Sequence, residues 1–184
     1  MSDDSDLIRR IQAGDRQAFE ALLDRYEARV YRLALSHTGS VADAEDVTQE
    51  VFLGIYRNIA QFRGRSALST WVYRVAVNHC LEFRRKRRAP SVSLEESGDL
   101  ASARWQDDPV ESAVKSDVRQ EVATALAGLS DAHREVVELH ELHGLTYGEC
   151  AEVLGVPVGT VKSRLSNAFA RLRGVLRSPA CEDV

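Results

Sequence analysis

Apolar residues recur at three- and four-residue spacing in segment after segment of this chain, and an alternating pattern persists nowhere. That periodicity restricts the fold to helices packed on helices, because a helix face repeats every three to four residues and a strand face every second one. Leu7, Ile8 and Ile11 form a first stripe, which Gly14-Asp15 breaks. Phe19, Leu22, Leu23, Tyr26, Val30, Leu33 and Ala34 form a second, so residues 6–37 read as two helices. Thr38-Gly39 ends that run. Ser40 followed by Asp43 has the look of a capping pair and predicts a helix to about Ala60. Its expected buried stripe is Ala44, Val47, Val51, Ile55 and Ile59, with Asp46, Gln49, Glu50 and Arg57 opposite.

Phe62–Ser66 reads as a loop. Ser69 or Thr70 is expected to cap a fourth helix through Arg88, with Trp71, Val72, Val75, Ala76 and Leu81 inward and Pro90 as its stop. Residues 89–110 show no sustained period and are rich in Ser, Asp and Glu, which predicts a flexible linker. Trp105, out of place there, would dock on a partner or on the protein itself. A helix over 111–127 ends near Gly128. Ser130 caps another over 131–143, with Val136, Val137, Leu139, His140 and Leu142 inward, and Gly144 ends it. Thr146 and Glu149 have capping-box spacing and open a short helix over 147–154. Gly155-Val156-Pro157 turns the chain into a last helix over 158–176. The expected fold is all-α, with two small helical domains joined by a flexible linker.

The formal net charge is −4, but its distribution matters more than its sum. Residues 57–88 hold nine Lys or Arg against the single acid Glu82. Residues 160–177 hold five and no acid, whereas 89–117 hold seven acids and two bases. Two basic regions separated by an acidic stretch predict two anion-binding surfaces. Other classes fit poorly. The start MSDDSDLIRR is acidic and lacks the apolar core of a secretory signal. No apolar run approaches the ~18–20 residues that span a bilayer, so a cytoplasmic protein without membrane insertion is expected. The three cysteines are too widely spaced for zinc or a disulfide frame; Cys80 and Cys150 read as small buried helix residues, and Cys181 lies in a tail. There is no Gly-rich phosphate loop and no nucleophile arrangement. His133, His140 and His143 read as ordinary helix or surface histidines rather than a metal site. Neither a cofactor nor an enzymatic activity is expected.

Residues 147–166 fit the helix-turn-helix. Ala151 is small where two helices approach, Gly155 supplies the turn, and Val161 locks the second helix on the first, with Leu154, Val156 and Leu165 completing the core. The second helix would present Thr160, Lys162, Ser163, Arg164 and Asn167 to a major groove. The helix N-terminus and Thr160 suit a phosphate, and Arg171 and Arg173 suit the backbone.

The stretch DAEDVTQEVFLGIYRNIAQFRGRSALSTWVYRVAVNHCLEFRRKRR resembles region 2 of the bacterial sigma factors, in the extracytoplasmic-function class. LSDAHREVVELHELHGLTYGECAEVLGVPVGTVKSRLSNAFARLR resembles their region 4. The resemblance implies a region 2 domain at 6–90, an acidic linker at 91–112 and a region 4 domain at 113–177. It implies core RNA polymerase, through its β′ clamp helices and β flap, and promoter DNA as partners, with an anti-sigma factor as regulator. Asp43, Asp46, Gln49, Glu50 and Leu53 would then dock on the clamp helices. Arg63, Arg65, Ser66, Trp71, Arg74, Asn78, Arg84, Arg85, Arg87 and Arg88 would engage the −10 element. Of these, Trp71 would pack beneath the loop or act near the fork, and Asn78 would bind the non-template strand or buttress the loop. Thr160, Lys162, Ser163, Arg164, Asn167 and Arg171 would read the −35 duplex. Ser166-Asn167 depart from the larger or basic residues often found there in the family. A stand-alone helix-turn-helix regulator is the alternative, but it leaves FRGRSALSTW unexplained.

Overall fold

The computed structural model describes residues 3–88, 122 and 124–176, and among them every regular element is helical. The chain divides into two compact units, Met1–Asp99 and Leu100–Val184. The linker expected at 91–112, with Trp105, and the stop at Pro90 lie outside the described residues, as do Cys181 and most of the helix expected over 111–127. No described helix is long and apolar enough to cross a membrane.

In the first unit α1 spans Asp3–Gln12, α2 Arg16–Thr38, α3 Val41–Asn58 and α4 Leu68–Arg88, with a single 3-10 turn at Ile59–Gln61. The long α2 is central, packing against α1, α3 and α4. Its starting amides meet the Asp15 carboxylate, which accepts from the Ala18 N–H at 3.2 Å. Its last turn closes on Gly39 at φ 69°, a left-handed backbone that only glycine adopts at little cost. Ser40 then caps α3 by accepting from the Asp43 N–H. The α3 stripe is buried as its spacing predicts, from Ala44 to Ile59. Thr48 is buried among these apolar groups because its hydroxyl donates to the Ala44 carbonyl at 2.7 Å. Gly54 lets α4 approach: a Cβ there would come within 2.8 Å of His79 Nε2.

Two expectations for α4 need correction. Ser69 and Thr70 are not its cap; they lie inside the first turn, and the helix opens on Ala67, whose carbonyl accepts from the Trp71 N–H. Leu81 is not inward but 43% exposed, and Tyr73, Val77 and Cys80 take the buried positions instead. The buried arc is therefore rotated away from Leu81, because α4 has α2 on one flank and α3 on the other. Tyr26 of α2 and Tyr73 of α4 are the largest fully buried side chains, and burial pushes both phenols above their ordinary pKa.

In the second unit residues 124–127 are helical; α5 spans Asp131–Val137, α6 Tyr147–Leu154 and α7 Val158–Leu176. Helix α5 runs on into a wide π turn at Glu138–Leu142. That turn holds more residues than an α turn, so it shifts the faces expected of one uniform helix. Leu142, expected inward, is 48% exposed; His140 is only half-buried, while Glu138 and Leu139 are buried. The Thr146–Glu149 capping box forms in both directions, and Gly155 ends α6 at φ 64°. Val161, Leu165 and Ala168 of α7 are buried against α5 and α6, with Ala151 of α6 nearly so. Arg134 also serves the core: its guanidinium donates to the carbonyls of Leu126, Ala127 and Leu129, closing the end of the preceding helix.

Candidate nucleic-acid and polymerase interface

Helix α3 turns one face to the core and one outward. On the outward face Asp46, Gln49, Glu50 and Leu53 are brought to one side by helical spacing, and all four are exposed. Leu53 is 45% exposed and Tyr56, one turn on, is 63% exposed, so the acidic surface carries apolar contact area. Tyr56 also meets Phe19 of α2 edge-on, with ring centroids 5.1 Å apart. Asp43 lies at the edge of this set: it is half-buried and pairs with Arg87 of α4 at 3.1 Å. One member of the expected docking group thus holds one member of the expected DNA-binding group.

The loop Phe62–Ala67 projects from the 3-10 turn. Arg63 and Arg65 are exposed, Ser66 is half-buried, and Gly64 takes φ 66° between the two arginines. Trp71 lies beneath the loop at 8% exposure, its ring tilted on Phe62 with centroids 5.2 Å apart. It therefore forms the floor on which the loop rests. Arg74, Asn78, Leu81 and Arg85 follow at helical spacing on the same side of α4; Arg74 is half-buried and the other three are more open to solvent. Arg84 is half-buried on a flank, and Lys86 and Arg87 are exposed. Lys86 donates to Glu82 at 3.1 Å, and this bond first of all holds the Glu82 carboxyl below its ordinary pKa. Arg88 closes the helix.

No local pattern in the chain hints at what holds the base of this loop. Gln12, the last residue of α1, donates its side-chain amide to the Ile59 carbonyl at 2.9 Å and the Phe62 carbonyl at 3.1 Å. The contact spans about fifty residues of chain, so no short spacing could have signalled it; only the turn-rich Ala13-Gly14-Asp15 that follows marks where α1 must end.

Helix α7 sorts its residues into three bands at the 100° step of an α-helix. Val161, Leu165 and Ala168 face the core. Opposite them lie Gly159, Ser163, Ser166, Asn167 and Ala170, all small or neutral and all exposed. Thr160, Arg164 and Arg171 form one flank, with Thr160 and Arg164 half-buried; Lys162 and Arg173 form the other, both exposed. Lys162 lies over the Tyr147 ring of α6 at 5.8 Å, and Tyr147 in turn stacks on His140 at 4.7 Å. His140 Nδ1 is 2.7 Å from the Leu145 carbonyl, which requires a proton on that nitrogen. Ser163 donates to the Thr160 carbonyl at 3.0 Å. A neutral strip between two cationic rails matches a groove whose base edges lie between two phosphate strands.

Residues 22–89 match the sigma-70 region 2 family, and residues 119–172 match sigma-70 region 4. The ECF RNA polymerase sigma-E factor of Haemophilus influenzae is 37% identical over 172 residues, covering 90% of both chains. Its Escherichia coli (strain K12) counterpart is 36% identical over 174 residues, again covering 90% of both. This chain belongs to the extracytoplasmic-function class of the sigma-70 family. It is a sigma factor that acts with RNA polymerase, not a stand-alone regulator and not an enzyme. Among solved structures, CnrH bound to the cytosolic domain of CnrY superposes with a TM-score of 0.68 at 25% identity, covering 92% of this chain and 94% of that one. The sigma factor RpoE of Bartonella quintana, bound to the anti-sigma factor NepR, also reaches 0.68 at 25% identity, covering 88% and 98%.

As for the remaining polar candidates, the buried Cys150 thiol is pushed up to about 11, chiefly by burial, and is inert at neutral pH. His133 Nδ1 lies 2.7 Å from the Ser130 hydroxyl. Among the described residues no His, Cys, Asp and Glu group is arranged to hold a metal ion.

Proposed function

We propose that this sigma factor initiates transcription through three surfaces carried on residues 6–90 and 113–177, with 91–112 as the tether. The outward face of α3, centred on Asp46, Gln49, Glu50 and Leu53, docks on the basic clamp helices of the polymerase β′ subunit. Asp43 belongs to this surface at its edge and orders the end of α4 through Arg87. The loop at Arg63–Ser66 and the face of α4 with Arg74 and Asn78 engage the −10 element. Flipping a base from the duplex costs a few kcal/mol, which a pocket and neighbouring cations offset. Trp71 supports the pocket from below, and Arg84, Arg85, Arg87 and Arg88 hold duplex phosphates upstream.

In α7, Ser163 and Asn167 read base edges in the −35 duplex while Thr160, Lys162, Arg164 and Arg171 grip the two phosphate strands. The small residues at Ser166 and Asn167 let the helix sit deep between those rails. The second unit also contacts the β flap. An anti-sigma factor would silence the protein by covering these surfaces; the similar RpoE of Bartonella quintana is bound to an anti-sigma factor, NepR. The protein works in the cytoplasm and needs no cofactor.

The observation that carries this reading is the alignment of the arginine loop with Arg74, Asn78 and Arg85 along one side of a helix whose other side is buried. Run-off transcription from a genomic library with core polymerase tests it. Promoter-specific products should require the sigma factor, and a library without any such product contradicts the reading. Glu50→Arg should lower affinity for core polymerase about tenfold or more by placing like charges together. Unchanged affinity at an unchanged melting temperature would remove α3 from the docking surface.

A further inference from the structure

We infer that Gln12 is a positioning residue for promoter reading: it fixes the loop Arg63–Ser66 from the far end of the first helix. The inference rests on the assignment of that loop to the −10 element. Two backbone carbonyls of one turn meet at this side chain. Its amide nitrogen donates to Ile59, the first member of the 3-10 turn, and to Phe62, the residue that closes it. The turn's own bond, from the Phe62 N–H to the Ile59 carbonyl at 3.1 Å, joins the same two residues, so Gln12 braces a short bridge at both ends. Ile59 is anchored in the core at 4% exposure, and Phe62 rests on Trp71.

The consequence is geometric. The loop leaves this bridge at Phe62 and rejoins the fold at Leu68, buried in the first turn of α4. Its C-terminal end is set by a helix, while its N-terminal end is set by one 3-10 turn and Gln12. Remove the brace and the Phe62 carbonyl is free to rotate, which swings Arg63 and Arg65 relative to the Trp71 floor. An amide suits the position because its NH₂ supplies two donors. A carboxylate there would set negative charge against two carbonyl oxygens. Helix α1 packs on α2 and buries Ile11, the neighbour of Gln12, to 6% exposure, so Gln12 reaches from a packed support.

The test uses the full chain with core polymerase and a promoter recovered by library transcription. Base discrimination is the ratio of transcripts from that promoter to those from single-base −10 variants. Gln12→Ala and Gln12→Glu should each lower this ratio about tenfold, the equivalent of roughly one net hydrogen bond of positioning free energy. Affinity for core polymerase should stay within about twofold, since the α3 face is untouched. Discrimination equal to the wild type in both variants overturns the inference. So does a fall in core affinity as large as the fall in transcription, which marks a general loss of structure. The double variant Arg63→Ala/Arg65→Ala separates the two levels. If it keeps full discrimination, the loop assignment itself fails; if it loses discrimination while Gln12→Ala does not, only the role of Gln12 fails.

Discussion

The two basic surfaces of this protein are built in opposite ways. On α4 the cations at the helix end are partly engaged: Arg87 pairs with Asp43 and Lys86 with Glu82. On α7, Lys162, Arg164, Arg171 and Arg173 have no acidic partner among the described residues, and Lys162 rests on an aromatic ring instead. The first surface also carries a loop held by a few long-range contacts, whereas the second is a helix that follows a glycine turn and is fixed by its buried Val161, Leu165 and Ala168. A reader of intact duplex needs a rigid shape that fits one groove. A reader of separated strands, the role proposed above for the first surface, needs room for an extruded base.

The widest gap between the units should appear in stability. The second unit has a small core, and Leu165, 3% exposed, lies at its centre. Leu165→Ala should cost about 2–5 kcal/mol, which is most of what a small core supplies. Calorimetry of the variant should lose the second unit's transition and retain the first unit's. A single transition that shifts as a whole would show that the units do not unfold separately, and the two surfaces would then share one stability.

A smaller effect separates the two cationic surfaces. Removing one cation from a bound phosphate should flatten the salt dependence of DNA binding by about 0.9 in the log–log slope. Replacing Lys162, Arg164 and Arg171 by Gln should approach that full value per residue in the polymerase complex. Replacing Lys86 and Arg87 should give less, because phosphate must first displace Glu82 or Asp43 from each. Equal flattening at both surfaces would mean that the exposed ion pairs count for nothing, in line with the small stabilisation expected of surface pairs in general.

Much of this architecture is legible in the sequence because it is written locally. The bounds of α6 and α7 follow from Thr146, Glu149 and Gly155, and those of α2 and α3 from Gly39 and Ser40, each acting on its near neighbours in the chain. The α3 stripe is equally plain, since one face meets one core. What the sequence conceals acts across the chain or breaks the period. Gln12 braces a turn 47 residues away, and Asp43 meets Arg87 across 44. The π turn at Glu138–Leu142 leaves no mark in the apolar spacing, so Leu142 looks like core and is not. Leu81 misleads for a related reason: α4 buries a broad arc between two neighbours, and an isolated leucine beyond its edge still fits a helical spacing.

The finest contrast concerns how helices begin. Helix α3 starts on the Ser40 hydroxyl, whereas α2 starts on the Asp15 carboxylate, so α2 alone of the two begins on a group that titrates. Arg10, through its hydrogen bond at 2.8 Å, is the main cause that holds Asp15 below its ordinary pKa of 3.8, and the Ala18 N–H adds to it. A carboxyl with a lowered folded pKa binds protons more readily in the unfolded chain. Its stabilisation is therefore fully present above pH 3.8 and is lost as the pH falls through the folded value. Asp15→Asn keeps a good capping oxygen but removes the charge that Arg10 attracts. In acid titrations followed by the first unit's helical signal, the variant should start slightly less stable at neutral pH and lose stability less steeply below 3.8. Superimposable acid limbs would show that the Arg10–Asp15 pair, exposed as it is, leaves the start of α2 indifferent to its charge.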